Sequence, residues 1–289
     1  MYNLIIFLPL IGAVLSWILG NRFSSIPTYI VSISCLFLSM IISWIAFYDI
    51  VFLKTDFIDS FFNNCHTKIN SKYILITHNS DIPIEEKDLS NLDEKIIHWF
   101  AMKLNVEMNQ FISPLPSGLE NKRYLQNGMV SNFKRVINSK EYDPNSKKNK
   151  IFCSFNEHTN LEVRKPLMEI AKEKDEVIIK KFDVPYEYLI ELSKYKYNLC
   201  PEGNNFESHR IWESLLFNCT PVVIENKVNR NFFDLGVPMI ILENWDHFEN
   251  LSIKELDMLN EINKNKNYKE FVNFEYWEKL ILSKKLLKN

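Results

Sequence analysis

The stretch YKYNLCPEGNNFESHRIWESLLFNCTPVVIE, Tyr195 to Glu225, reads in turn as strand, loop, helix and strand. Tyr197–Cys200 is short and apolar, the signature of a buried strand. Pro201–Asn205 is a loop, and its Gly203 lets the backbone come close to a ligand. Phe206–Phe217 has helical spacing, with Ile211, Trp212, Leu215 and Leu216 on one face. Asn218-Cys219 ends that helix, and the β-branched Thr220–Ile224 reads as the next strand. A parallel strand–helix–strand unit places its loops at the carboxyl ends of the strands, where ligands bind.

The helix carries Ser208, His209, Arg210 and Glu213 in its first two turns, more polar chemistry than a crossover requires. Its N-terminus offers unpaired N–H groups and positive dipole, which suit a phosphate. Arg210 can fork two hydrogen bonds onto phosphate oxygens. Glu213, a turn deeper, can accept from sugar hydroxyls. The alternative reading is a surface ion pair between Arg210 and Glu213 on a helix that only packs against a sheet.

The flanking residues favour the first reading. Cys200-Pro201-Glu202-Gly203, then Ser208, Arg210 and Glu213, then Cys219-Thr220-Pro221-Val222-Val223 resemble the donor-site signature of exostosin-like glycosyltransferases. Asn218 stands where that family usually has glycine. The resemblance is close over about thirty residues and loose from Tyr73 onward. It implies an α/β chain of two Rossmann-like lobes (the GT-B architecture), with a nucleoside-diphosphate sugar held by the C-terminal lobe. On this reading Arg210 holds the diphosphate, Ser208 and Gly203 the phosphates, and Glu213 the ribose or sugar. Glu202, Asn204 and Glu207 line the loop beside the sugar. Arg164 resembles by position a phosphate-facing arginine of the family; the alternative is an exposed Arg paired with Glu162 or Glu169.

Outward from this unit, the chain divides by composition. Of its 289 residues, Tyr2 to Asn21 and Phe23 to Tyr48 contain no charged side chain. Each run matches the ~20 residues that a hydrocarbon core requires. Trp17, Tyr29, Trp44 and Tyr48 stand where interfacial aromatics belong. Residues 1–53 are therefore expected to form a transmembrane helical hairpin turning at Gly20-Asn21-Arg22. A cleaved signal peptide fits less well, since no basic residue precedes the apolar run. Met1 to Ala13 and Ser43 to Asp49 resemble the start of subunit L of bacterial respiratory complex I. The resemblance stops near residue 50, and no intramembrane Lys or Glu is available to relay protons. Lys54, Lys68 and Lys72 follow the second run, which puts the lobes on the cytoplasmic side of the membrane.

Residues 54–145 are expected to form the N-terminal, acceptor-side lobe. Tyr73–Thr77 is a strand running into the polar loop His78-Asn79-Ser80-Asp81. His78 and Asp81 are the candidates for binding the acceptor or taking its proton. Leu92–Leu104 reads as an amphipathic helix through Ile96, Ile97, Phe100 and Ala101, and Val106–Ile112 as a strand. The loop after it brings Gly118, Glu120 and Asn121 toward the same cleft. Ser139–Lys150 is a polar linker. Residues 146–289 are expected to form the second lobe, with strands at Ile151–Phe155, Glu176–Phe182 and Pro238–Leu242 and helices at Leu161–Lys174 and Tyr186–Tyr195. An amphipathic terminal helix, Tyr268–Leu287, is expected to return to the first lobe.

Several classes are set aside. The net charge of −2 gives no pull toward nucleic acid. G-x-G-x-x-G, G-x-x-x-x-G-K, H-E-x-x-H and D-x-D are all missing from the sequence, so no dinucleotide, P-loop or metal chemistry is expected, and no cofactor. The five scattered cysteines form no C-x-x-C, consistent with reduced thiols. The expected partners are a nucleotide sugar, a glycan or lipid-linked acceptor, and the membrane. A fucosyltransferase-like enzyme fits less well, because Arg210 occupies the basic position. A non-catalytic remnant of a respiratory subunit is the alternative from another class.

Overall fold

The computed structural model describes residues 2–20, 25–48, 50–120 and 128–285. The elements run α1 (Tyr2–Gly20), α2 (Ser25–Tyr48), β1 (Ile50–Lys54), α3 (Ile58–Asn64), β2 (Tyr73–His78), β3 (Ile96–Met102), β4 (Ile112–Leu115) and α4 (Val130–Ile137). They continue β5 (Lys148–Cys153), α5 (Leu161–Lys172), β6 (Val177–Ile179), α6 (Pro185–Leu192), β7 (Tyr195–Leu199), α7 (His209–Leu216), β8 (Thr220–Ile224) and α8 (Lys227–Asp234). The chain closes with β9 (Ile240–Leu242), α9 (Trp245–Asn250), α10 (Ile253–Leu259) and α11 (Phe274–Lys285). The class is α/β, built on two all-parallel sheets of order β1-β2-β3-β4 and β6-β5-β7-β8-β9. Two Rossmann-like lobes account for both sheets.

In the second sheet β7 pairs with β8 through Tyr197↔Thr220, Asn198↔Pro221 and Leu199↔Val222. Pro221 lacks a ladder N–H, yet it occupies the middle of a central strand. The helix between them begins later than its spacing suggests. Ser208 is the N-cap, with extended backbone and its hydroxyl accepting from the Arg210 N–H, so α7 opens at His209 rather than Phe206. Asn218 ends the turn with φ +55°, the left-handed conformation usually given to glycine. Asn tolerates that region, so the exchange of Gly for Asn keeps the turn.

The first sheet departs from the sequence reading in two places. Residues 96–102 form strand β3, not a helix. Ile96, Trp99, Phe100, Ala101 and Met102 are buried on both faces of the sheet, so the alternation that marks a strand disappears. The remaining apolar spacing imitates a helix. Second, Ile50–Lys54 pairs along its whole length with β2, from Ile50↔Ile74 to Lys54↔His78. The sheet thus begins at residue 50, inside the segment assigned to the hairpin. Val106–Ile112 is strand only at its last residue, where β4 starts.

One apolar core joins the two sheets. Ile74, Phe100 and Leu115 of the first pack with Ile211, Trp212 and Leu215 of α7, Val223 of β8, Phe232 of α8 and Trp277 of α11. Trp212 meets the rings of Phe232 and Trp277 edge-on at centroid distances of 5.0 and 6.2 Å. α11 packs against β2 and β3. Lys288 and the end of the expected terminal helix lie outside the described residues, as does Arg22.

α1 and α2 pack on each other, with Gly12 against Cys35: a Cβ at Gly12 would stand 2.8 Å from the Cys35 Cβ. Among the described residues no helix is long and apolar enough to cross a membrane. The expected membrane-spanning hairpin is therefore not supported; the side chains described on α1 and α2 are those of residues 7–18 and 29–40. Within those stretches large apolar side chains face outward, among them Trp17 at 72%, Tyr29 at 65% and Ile33 at 64% exposure.

Candidate functional site

A cleft of about 1380 Å³ opens where the carboxyl ends of both sheets meet. Its second-lobe wall comes from the turn after β5, the start of α5, the loop before α6, and the Gly203–Glu213 segment. Its first-lobe wall comes from the ends of β1, β2 and β3 and the loop after β4. Two strands of the first lobe end in left-handed residues, Asn79 at φ +58° and Lys103 at φ +56°.

Of the residues the sequence singled out, His78, Asp81, Arg164, Gly203, Asn204, Glu207, Ser208, Arg210 and Glu213 line this cleft. Glu202 does not. Its carboxylate turns away to accept from Asn226 Nδ2 at 2.8 Å, and burial raises its pKa. Asn121 lies outside the described residues. Glu120 lines the cleft, whereas Gly118 does not: its carbonyl meets His209 Nδ1 at 2.6 Å.

The two arginines are used differently. Arg164 is neither exposed nor paired with Glu162 or Glu169. It is 2% exposed and donates to three carbonyl oxygens: Glu202 at 2.8 Å, Asn156 at 2.9 Å and Pro201 at 3.3 Å. Burial, with the charge of Arg210 nearby, lowers its pKa to about 10. A Cβ on Gly203 would sit 2.9 Å from Arg164 Nη2. Gly203 therefore makes room for the guanidinium that shapes its own loop. Asn160, which also caps α5, donates to the Gly203 carbonyl at 3.1 Å and completes the clamp.

Arg210 has one backbone bond, Nε to the Ser154 carbonyl at 2.9 Å. It forms no ion pair among the described residues, so the Arg210–Glu213 surface pair is not formed. Glu213 is buried and accepts instead from the Tyr188 hydroxyl at 2.8 Å. Burial and that carboxylate push the Tyr188 pKa well up, which keeps the phenol a donor. The neighbouring thiols are unreactive: burial pushes Cys153 and Cys200 up to about 12.

The segment from Asn205 to Arg210 alternates between walls. Asn205 Nδ2 donates to the Asp81 carbonyl at 2.8 Å. Glu207 accepts from the Ser117 N–H at 2.7 Å, the Ser117 hydroxyl at 2.9 Å and Trp212 Nε1 at 2.5 Å. His209 Nδ1 meets the Gly118 carbonyl at 2.6 Å. These odd-numbered residues face the first lobe, while Ser208 and Arg210 serve the second. Glu207 lines the cleft while also joining the lobes, and burial raises its pKa.

On the first-lobe wall His78 Nε2 donates to the Pro116 carbonyl at 3.0 Å. Asp81 accepts from Lys103 Nζ at 2.5 Å, and that hydrogen bond lowers its pKa. An ion-paired carboxylate of lowered pKa is a weak base. Lys103 is itself buried, and sequence reasoning missed it because the segment was read as helix. Tyr188 was missed too; nothing in its local pattern marks a partner 25 residues away. No protein-family model and no curated protein matches the chain.

Proposed function

We propose that the protein is a membrane-anchored glycosyltransferase that moves a sugar from a nucleoside-diphosphate sugar to a carbohydrate or lipid-linked acceptor. The observation that carries the reading is Arg210. Its guanidinium lines the cleft beside the first turn of α7 with a single backbone bond and no carboxylate partner among the described residues. A diphosphate leaving group gathers negative charge as the glycosidic bond breaks, and a preorganised guanidinium with helix N–H groups stabilises it. Arg164 adds buried positive charge beneath the same loop, without direct contact. Glu213, held by Tyr188, presents a carboxylate to sugar or ribose hydroxyls. His78 and Asp81 face the acceptor from the other wall. With no D-x-D pair in the sequence, the diphosphate charge falls to these groups rather than to a metal.

The test is calorimetric titration of the full chain in detergent with UDP, GDP and their sugar conjugates. Arg210→Ala should weaken binding by roughly 10- to 100-fold, as expected for loss of a charge-assisted pair of about 1.5–3 kcal/mol. Equal affinity in the variant would show the role of Arg210 to be wrong.

The anchor reading rests on the outward apolar side chains of α1 and α2. A surface of that kind in water is an association liability, and in lipid it is matched to its solvent. Flotation with phosphatidylcholine vesicles at high salt and at about pH 11 checks it: the chain should remain with the vesicles, and release into the soluble fraction would refute the anchor.

A further inference from the structure

His209 stands at the seam with its two ring nitrogens in separate surroundings. Nδ1 lies 2.6 Å from the Gly118 carbonyl, which can only accept, so Nδ1 carries a proton. The ring nitrogen left with a lone pair is then Nε2, which faces Glu120 Oε1 at 3.6 Å. That distance is beyond a hydrogen bond, and the imidazole is 38% exposed to the cleft. His209 and Arg210 are neighbours in sequence, but their side chains diverge. Arg210 reaches Ser154 on the second-lobe wall, and His209 reaches Gly118 on the first. An in-line displacement needs this layout, with the group that receives the proton and the group that holds the leaving diphosphate on opposite sides of one carbon.

We infer that His209, backed by Glu120, is the base that takes the proton of the attacking hydroxyl. The inference rests on the transferase reading. Nε2 accepts the acceptor's O–H proton as that oxygen bonds to the anomeric carbon. The bond from that carbon to the phosphate oxygen breaks, and its electron pair leaves with the nucleoside diphosphate. Glu120 then faces a positive imidazolium, which its carboxylate stabilises. Asp81, tied to Lys103, is the weaker candidate for this step. Among the described residues, the charged groups that face the ring are Glu120 from the loop after β4 and Glu207 from the approach to α7.

His209→Asn separates the ring's two roles, because the Asn amide can still donate to the Gly118 carbonyl while Nε2 is lost. The full chain in detergent is supplied with UDP-glucose, UDP-N-acetylglucosamine, GDP-mannose and GDP-fucose, with water as acceptor, and released nucleotide is followed from about pH 5 to 9. The expected result is a fall of roughly 100-fold or more in hydrolysis, loss of the acidic limb of the pH–rate profile, and UDP or GDP affinity within about threefold of the parent. Hydrolysis within about threefold of the parent, with the acidic limb intact, overturns the inference and leaves the transferase reading standing. Loss of the limb in His78→Gln but not in His209→Asn also overturns it. A parent chain that binds nucleotide yet hydrolyses none of the donors overturns it as well. Failure of the parent to bind either nucleotide defeats the transferase reading itself.

Discussion

The two sheets are alike in being parallel and unlike in how their strands are joined. In the second, the connections are helices, and three of them start on side-chain caps: Asn160 before α5, Ser208 before α7 and Asn226 before α8, while α6 starts at Val184 without one. In the first, no α-helix lies between β2 and β3 or between β3 and β4 among the described residues. Strands β2 and β3 end instead in the left-handed residues Asn79 and Lys103. A capped helix start presents fixed N–H donors, whereas a strand ending in a tight turn presents side chains. One wall of the cleft is thereby suited to holding an anion, and the other to shaping what meets it. The core through Trp212 nevertheless makes the halves one unit.

Cooperativity between the halves gives the largest expected effect. Trp212→Ala, in the shared core, and Trp99→Ala, in a cluster confined to the first sheet, should each cost about 4 kcal/mol. Urea unfolding followed by far-ultraviolet dichroism should show one transition in both variants, shifted by similar amounts. Two separated transitions in Trp99→Ala would break the picture of a single unit.

A second contrast is in pH response. His98 of β3 is buried between the Gln110 carbonyl and the Ser113 hydroxyl, and burial lowers its pKa to about 4. Its unfolded value is near 6.5, so the unfolded chain binds the proton more readily. The stability tied to neutral His98 is complete above about pH 6.5 and is lost as pH falls toward about 4, about 3 kcal/mol in all. Glu207 on the seam has the opposite sign: its raised pKa means stability falls as pH climbs from the ordinary glutamate value through the raised one. Denaturation of His98→Asn between about pH 7 and 4 should lack most of the first slope. An unchanged slope would remove His98 from the explanation.

The smallest effect compares two left-handed residues. Asn218→Gly should gain up to about 0.5 kcal/mol, because glycine adopts φ +55° without strain but loses more chain entropy. Lys103→Gly relieves the same backbone strain yet removes the buried partner of Asp81, and should lose stability. Thermal unfolding of the pair decides it; equal shifts would show that the Lys103–Asp81 contact contributes nothing.

The second lobe was legible because its strands are short and its helices announce themselves. Thr220–Ile224 is strand β8 as read, and Ser208, Arg210 and Glu213 share one cleft wall. The first lobe was harder because β3 is covered on both faces, so period-two alternation was erased and helical spacing arose by coincidence. β1 was hidden by its position directly after an uncharged run. Glu207 and Arg164 could be placed near the site, but not given their tasks. Each is occupied by groups distant in sequence, Ser117 for one and Pro201-Glu202 for the other, and no local pattern records those partners.

The immediacy of β1 after α2 has a mechanical consequence. Six residue steps separate Tyr48, the last of α2, from Lys54, whose side chain is already at the cleft. An extended chain covers at most about 3.5 Å per step, so this leash is no longer than about 20 Å. The cleft therefore stays within about that length of the end of α2, and any molecule entering it works close to that helix.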